Sequence, residues 1–142
     1  MSSDRVSQIQ IGCNVDAIRK VAEWLRDGCK DIDPDYLAEM ELAVVEAVTN
    51  LVKHGGVVNT DEKLSFEMSR QSDAIKIVIT DRGKPISPAA LDVSATALDF
   101  DPQDVANLPT NGLGLAIIRE VMDDFDYQSR DGINTMRLVK RI

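Results

Sequence analysis

The stretch DPDYLAEMELAVVEAVTNLVKHGG, residues 33–56, decides most of the fold. Asp33 followed by Pro34 marks a helix start, because a capping carboxylate precedes a residue whose fixed φ and missing N–H suit the first helical position. Behind it Leu37, Met40, Val44, Val48, Leu51 and Val52 recur at the spacing of one apolar helix face. Gly55-Gly56 predicts the stop. Glu39, Glu46, Asn50 and Lys53 fall on a second stripe of the same helix, with His54 close to it. The stripe is narrow, since Ala43, Val45, Ala47 and Thr49 flank it. Two readings stand at this point. One is the solvated side of an amphipathic helix. The other is a site: Glu46 as a base, the neutral amide oxygen of Asn50 as a ligand for a hard cation such as Mg²⁺, and Lys53 one turn on against a phosphate.

Upstream, Val6 to Ile11 alternate in polarity and predict a short half-buried strand. Asn14 is read as the N-cap of a first helix whose apolar face is Val15, Ile18, Val21, Ala22 and Leu25, ending near Gly28. Trp24 on that helix is either core or exposed apolar surface for a partner. Downstream, Lys63–Arg70 and Ala74–Thr80 read as two strands around the polar connection Gln71-Ser72-Asp73. Residues 81–110 hold four of the five prolines and no sustained period. So long a connection is usually functional, and a short helix is expected in it near Ala89–Ala97. A third helix carries Leu115, Ile117, Ile118, Val121 and Met122. Strands near Asp126–Ser129 and Asn134–Val139 close the chain around Asp131-Gly132. The order β, α, α, β, β, loop, α, β, β predicts one α+β domain over residues 1–142. In it helices cover one face of a mixed, mainly antiparallel sheet.

Composition narrows the function classes. Sixteen Lys and Arg against 24 Asp and Glu leave a formal charge of −8 in 142 residues. That balance disfavours direct nucleic-acid binding and a polybasic membrane contact. Cys13 and Cys29 are too few and too far apart for a zinc site or a redox CxxC, and the single His54 excludes a multi-histidine metal centre. No apolar run approaches a membrane span, and no apolar signal core follows the N-terminus, so a cytoplasmic location is expected.

Two further motifs carry chemistry. Asp81-Arg82-Gly83 follows the strongest strand, where a carboxylate can accept from an exocyclic amine and glycine lets the backbone come close. By itself it also fits an ordinary turn. Gly112-Leu113-Gly114 opens a helix, and unpaired N–H groups at the positive end of a helix dipole make a phosphate site. It lacks the Lys-Ser/Thr of a Walker A loop, and no strand immediately precedes it as in a Rossmann fingerprint.

In this order the motifs resemble the GHKL ATPase superfamily with its Bergerat, histidine-kinase-like fold. Within it they resemble the small anti-sigma-factor serine/threonine kinases of bacterial partner-switching systems. The resemblance rests on residues 41–54, on Ile79-Thr80-Asp81-Arg82-Gly83-Lys84-Pro85, on Asn111-Gly112-Leu113-Gly114, and on residues 121–124 and 134–140. It implies ATP and Mg²⁺ as cofactors, with a lid at about residues 84–111. It further implies that Asn50 coordinates Mg²⁺ and that Glu46 is the general base. Asp81 would bind the adenine amine with support from Thr135, and Gly83 would shape the base pocket. Gly112, Leu113 and Gly114 would wrap the phosphates, with Lys53 near them. The partners implied are a STAS-domain anti-anti-sigma protein as phosphorylation substrate, a sequestered sigma factor or other regulator, and a second copy in a homodimer. The alternative is an ATP-binding module that holds its partner without phosphorylating it. Thr110-Asn111 stands where some relatives place an arginine, leaving Lys53, Arg82 and Lys84 as the nearby cations.

Overall fold

The structure is a computed structural model and describes residues 5–54, 63–96 and 113–142. Nine elements follow in order: β1 (Arg5–Gly12), α1 (Asp16–Gly28), α2 (Pro34–His54), β2 (Lys63–Arg70), β3 (Ala74–Asp81), α3 (Pro88–Thr96), α4 (Leu113–Val121), β4 (Asp124–Arg130) and β5 (Ile133–Arg141). The strands form a single five-stranded sheet in the order β1-β2-β3-β5-β4. Every described pair is antiparallel, so the expected parallel component of the sheet does not occur.

Period-two alternation sets which side of each strand is covered. Ile75, Ile77, Ile79 and Asp81 of β3 are buried, as are Leu64, Phe66 and Met68 of β2 and Asn134, Met136, Leu138 and Lys140 of β5. The apolar ones among them meet Val21 and Leu25 of α1, Met40, Val44 and Val48 of α2, and Ile118 of α4 in one core. Each large side chain so buried contributes about 1.5–3 kcal/mol. The other side of the sheet carries Ser65, Glu67, Lys76, Val78, Thr80, Thr135 and Arg137. The result is two layers, with helices on one face.

Local chemistry explains the ends of the elements. The Asp33 carboxylate accepts from the Asp35 N–H at 2.8 Å, the capping bond that the Asp-Pro pair predicted. The cap expected of Asn14 does not form. Val15 occupies the N-cap position of α1 without a side-chain bond, and Asn14 contributes only its carbonyl, which accepts from the Ala17 N–H at 3.0 Å. The Gly55-Gly56 stop lies outside the described residues. Between β4 and β5 the two-residue turn Asp131-Gly132 has φ of 55° and 79°. Consecutive positive φ values match the twist of a tight hairpin, and Gly132 takes the second at no steric cost. Trp24 is half-buried against Phe66, with ring centroids 6.1 Å apart, and its Nε1–H donates to Ser7 Oγ at 3.0 Å. It belongs to the α1–sheet contact.

One polar side chain ties the layers together. Lys140 is buried on β5, and its Nζ donates to Glu39 Oε2 at 2.7 Å and to the Val121 carbonyl at 2.8 Å, beneath the Tyr36 ring. It joins α2 to the C-terminal end of α4, where a cation also complements the helix dipole. Glu39, read in sequence onto the Glu46 stripe, is engaged in this tie.

Candidate functional site

The packing of α4 on α2 builds the first half of the site. Glu46 and Asn50 are half-buried and one turn apart on α2. Gly114, in the first turn of α4, faces both. A β-carbon built on Gly114 would lie 3.0 Å from Glu46 Oε2, 3.4 Å from Asn50 Nδ2 and 3.5 Å from Asn50 Oδ1. The glycine thus lets the start of α4 close on a carboxylate and an amide, where any side chain would crowd them. Two α2 groups that can hold a proton or a cation therefore sit beside the N-terminal turn of a nine-residue helix.

The second half lies at the end of β3. Asp81 is buried, with 4% of its surface exposed. Its Oδ1 accepts two hydrogen bonds, from the Gly83 N–H at 2.9 Å and from Asn134 Nδ2 at 2.8 Å. Asn134 is also buried and donates to the Gly83 carbonyl at 2.8 Å, while its Oδ1 accepts from Ser129 Oγ at 2.7 Å. Among the described residues no hydrogen bond engages Asp81 Oδ2. The chain beyond Gly83 is anchored too: the Ile86 N–H donates to the Tyr127 hydroxyl oxygen at 2.9 Å. Burial pushes the Tyr127 phenol above its ordinary value, the Asp81 charge adds to that, and the Ile86 bond opposes it.

The structure places Gly114 beside Glu46 and Asn50, and Gly83 beside Asp81. Lys53 is exposed at the end of α2, and Arg82 and Lys84 are exposed beyond β3. Residues 97–111 of the expected lid and Gly112 lie outside the described residues, as does the side chain of Leu113. The expected short helix is present as α3, Pro88–Thr96.

Thr135 is not brought to Asp81. It pairs with Thr80, one step from the Asp81–Asn134 pair, and so stands on the opposite face of the sheet from Asp81. Asn134, one residue earlier, is the β5 side chain that bonds to Asp81. Asn134 and Tyr127 were missed as site residues. The signal for Asn134 was the two-residue Asp131-Gly132 turn, which sets the β4–β5 register and pairs Asn134 with Ser129.

A family model described as the histidine kinase-like ATPase domain matches residues 13–140. A serine-protein kinase RsbW from Staphylococcus epidermidis is 34% identical over 115 residues, covering 76% of this chain and 67% of that protein. Another from Bacillus mycoides is 28% identical over 102 residues, covering 72% of this chain and 62% of that one. The chain thus spans only 62% and 67% of the length of these relatives. Among solved structures, one of the RsbU and RsbW domains of a Mycobacterium tuberculosis protein superposes with a TM-score of 0.65 at 18% identity. It covers 96% of this chain and 32% of that one. The mycobacterial sensor histidine kinase MprB superposes with a TM-score of 0.53 at 18% identity, covering 95% and 97%. These two share the fold.

Proposed function

This chain belongs to the histidine kinase-like ATPase family, as an RsbW-like member, and on that premise we propose that it is an ATP-dependent serine/threonine-protein kinase of a partner-switching system. The observation that carries the proposal is the approach of Gly114 to Glu46 and Asn50, which sets a proton acceptor and an amide oxygen beside a helix N-terminus. A module that only held nucleotide would have no use for the acceptor.

The residues present fit the groups such a kinase needs. Asp81 keeps one carboxylate oxygen for the amine of adenine, and Gly83 brings no side chain beside it. The first turn of α4 faces the phosphates with its N–H groups and no side chain at position 114. Asn50 would give Mg²⁺ one oxygen ligand. Among the described residues no cluster of three His, Cys, Asp or Glu could hold a metal alone, so phosphate oxygens and water would complete the shell. The ion would supply charge neutralisation on the phosphates. Lys53, exposed one turn beyond Asn50, is the α2 cation within this reading.

Glu46 then accepts the proton of a serine or threonine hydroxyl on the partner. That oxygen takes the terminal phosphoryl group, and ADP leaves. Transfer of this kind rests on positioning and electrostatics more than on covalent chemistry by the protein. The substrate in this reading is a STAS-domain antagonist, and the sequestered partner is a sigma factor or another regulator. The acidic chain, with charge −8, favours basic surfaces on such partners. Homodimerisation and a cytoplasmic setting belong to the same proposal. Among the described residues no helix is long and apolar enough to cross a membrane.

The test is incubation with γ-labelled ATP, Mg²⁺ and a candidate STAS protein. Label on a serine or threonine of that protein supports kinase action. Stable ATP-dependent association without label favours the alternative, a module that binds without transfer.

A further inference from the structure

Asn134 is nearly inaccessible, and its amide makes three hydrogen bonds: two cross to the opposed residues Asp81 and Ser129 of the neighbouring strands, and the third reaches the chain beyond β3. Nδ2 donates to Asp81 Oδ1 at 2.8 Å and to the Gly83 carbonyl at 2.8 Å, and Oδ1 accepts from Ser129 Oγ at 2.7 Å. The orientation of the amide follows from its partners, because a carboxylate and a carbonyl can only be met by the NH₂ end. With the Gly83 N–H on the same oxygen, Asp81 Oδ1 already holds two donors. The carboxylate cannot rotate without breaking both bonds. One oxygen, Oδ2, is left to accept.

The geometry points to Asn134 as a positioning residue for nucleobase selection: with the Gly83 N–H it holds Oδ1 of Asp81 and so aims Oδ2, which makes no hydrogen bond among the described residues, as an acceptor that matches a 6-amino purine and repels a 6-oxo one. A carbonyl facing Oδ2 would set two acceptors against each other in a buried place, and a buried polar atom without a partner is costly. The same amide grips the Gly83 carbonyl, so the selected base and the first residues after β3 are held by one side chain. This inference rests on the assignment of Asp81 to the adenine amine and adds to it the group that holds the selecting carboxylate in place.

The experiment measures the affinities of ATP and of inosine triphosphate, its 6-oxo counterpart, by titration calorimetry with Mg²⁺. Wild type, Asn134→Ala, Asn134→Thr and Asp81→Asn are compared. Asp81→Asn tests the underlying assignment: unchanged ATP affinity and unchanged ATP-to-ITP ratio there overturn it, and the inference with it. If Asp81→Asn loses ATP, the Asn134 variants decide. The expected result is that Asn134→Ala binds ATP about tenfold more weakly, the scale of a hydrogen bond to a charged group. ITP affinity changes by less than about twofold, so the ratio narrows. A merely structural asparagine would lower both affinities together. A wild-type ratio in Asn134→Ala overturns the inference. Should that chain fail to fold, a wild-type ratio in Asn134→Thr, whose hydroxyl is too short to bridge both acceptors, overturns it equally.

Discussion

Replacing Gly114 by alanine separates stability from function. In an ordinary helix the change stabilises by about 0.5–1 kcal/mol, because glycine loses more backbone freedom on folding. Here the new methyl group meets Glu46 Oε2 at 3.0 Å and the Asn50 amide at 3.4 and 3.5 Å. Those side chains must give by a few tenths of an ångström, at a cost of about 1 kcal/mol. The two effects nearly cancel, so the apo protein should melt within about 4 °C of wild type. Function should not survive so well. The displaced groups are the proposed base and the proposed cation ligand, and small misplacements at a reacting centre cost about a hundredfold in rate. Nucleotide binding should suffer with it. At about a hundred times its Kd, ATP stabilises a wild-type chain by about 2.7 kcal/mol, and most of that gain should vanish. The assay is thermal unfolding with and without Mg²⁺ and ATP, followed by labelled transfer to the partner. A Gly114→Ala protein with the wild-type ATP shift and the wild-type transfer rate would refute the placement of α4 against a working Glu46.

Other expectations follow from the same contacts. Lys140→Met removes the donor shared by Glu39 and the Val121 carbonyl and should cost about 2 kcal/mol in urea unfolding; an unchanged midpoint would show that the tie adds nothing. Tyr127→Phe leaves the Ile86 N–H without its acceptor and should lower stability by about 1 kcal/mol while speeding proteolysis between residues 82 and 96. Burial pushes the Cys29 thiol above its ordinary value, with nearby Arg70 opposing. The folded state then keeps a proton that the unfolded state releases. Stability is full below the ordinary thiol range, near about pH 8.5, and falls as pH climbs through that value towards the raised one. Cys29→Ala should flatten this slope above about pH 8.5, whatever it does to stability itself; equal slopes would contradict the assignment.

Much of the fold was legible because the signals were local. Asp33-Pro34 started α2 through a bond that forms, and the alternation of Ile75, Ile77 and Ile79 gave both the strand and its buried side. The spacing of Glu46 and Asn50 placed them on one stripe. What could not be read locally was what lies against that stripe. Gly114 reaches it through helix packing across about 65 residues of chain, and Glu39 leaves it through Lys140 on the last strand. The face on which Thr135 stands was hidden for a similar reason. A slip of one residue moves a side chain through the sheet, and the face of β5 is set by its pairing with β3, more than fifty positions away in the chain. Asn14 resembled a cap in composition, yet the chain turns into α1 one residue later, and backbone carbonyls close the first turn.

The most direct test of the central claim uses Glu46→Gln, which keeps the shape of the side chain and removes its ability to take a proton at neutral pH. Binding of ATP with Mg²⁺ is measured by calorimetry, and label transfer to a serine or threonine of the co-purifying partner is followed on the same preparation. The account predicts wild-type affinity within a few-fold and transfer reduced by at least about a hundredfold. Transfer at the wild-type rate, with affinity intact, would contradict it.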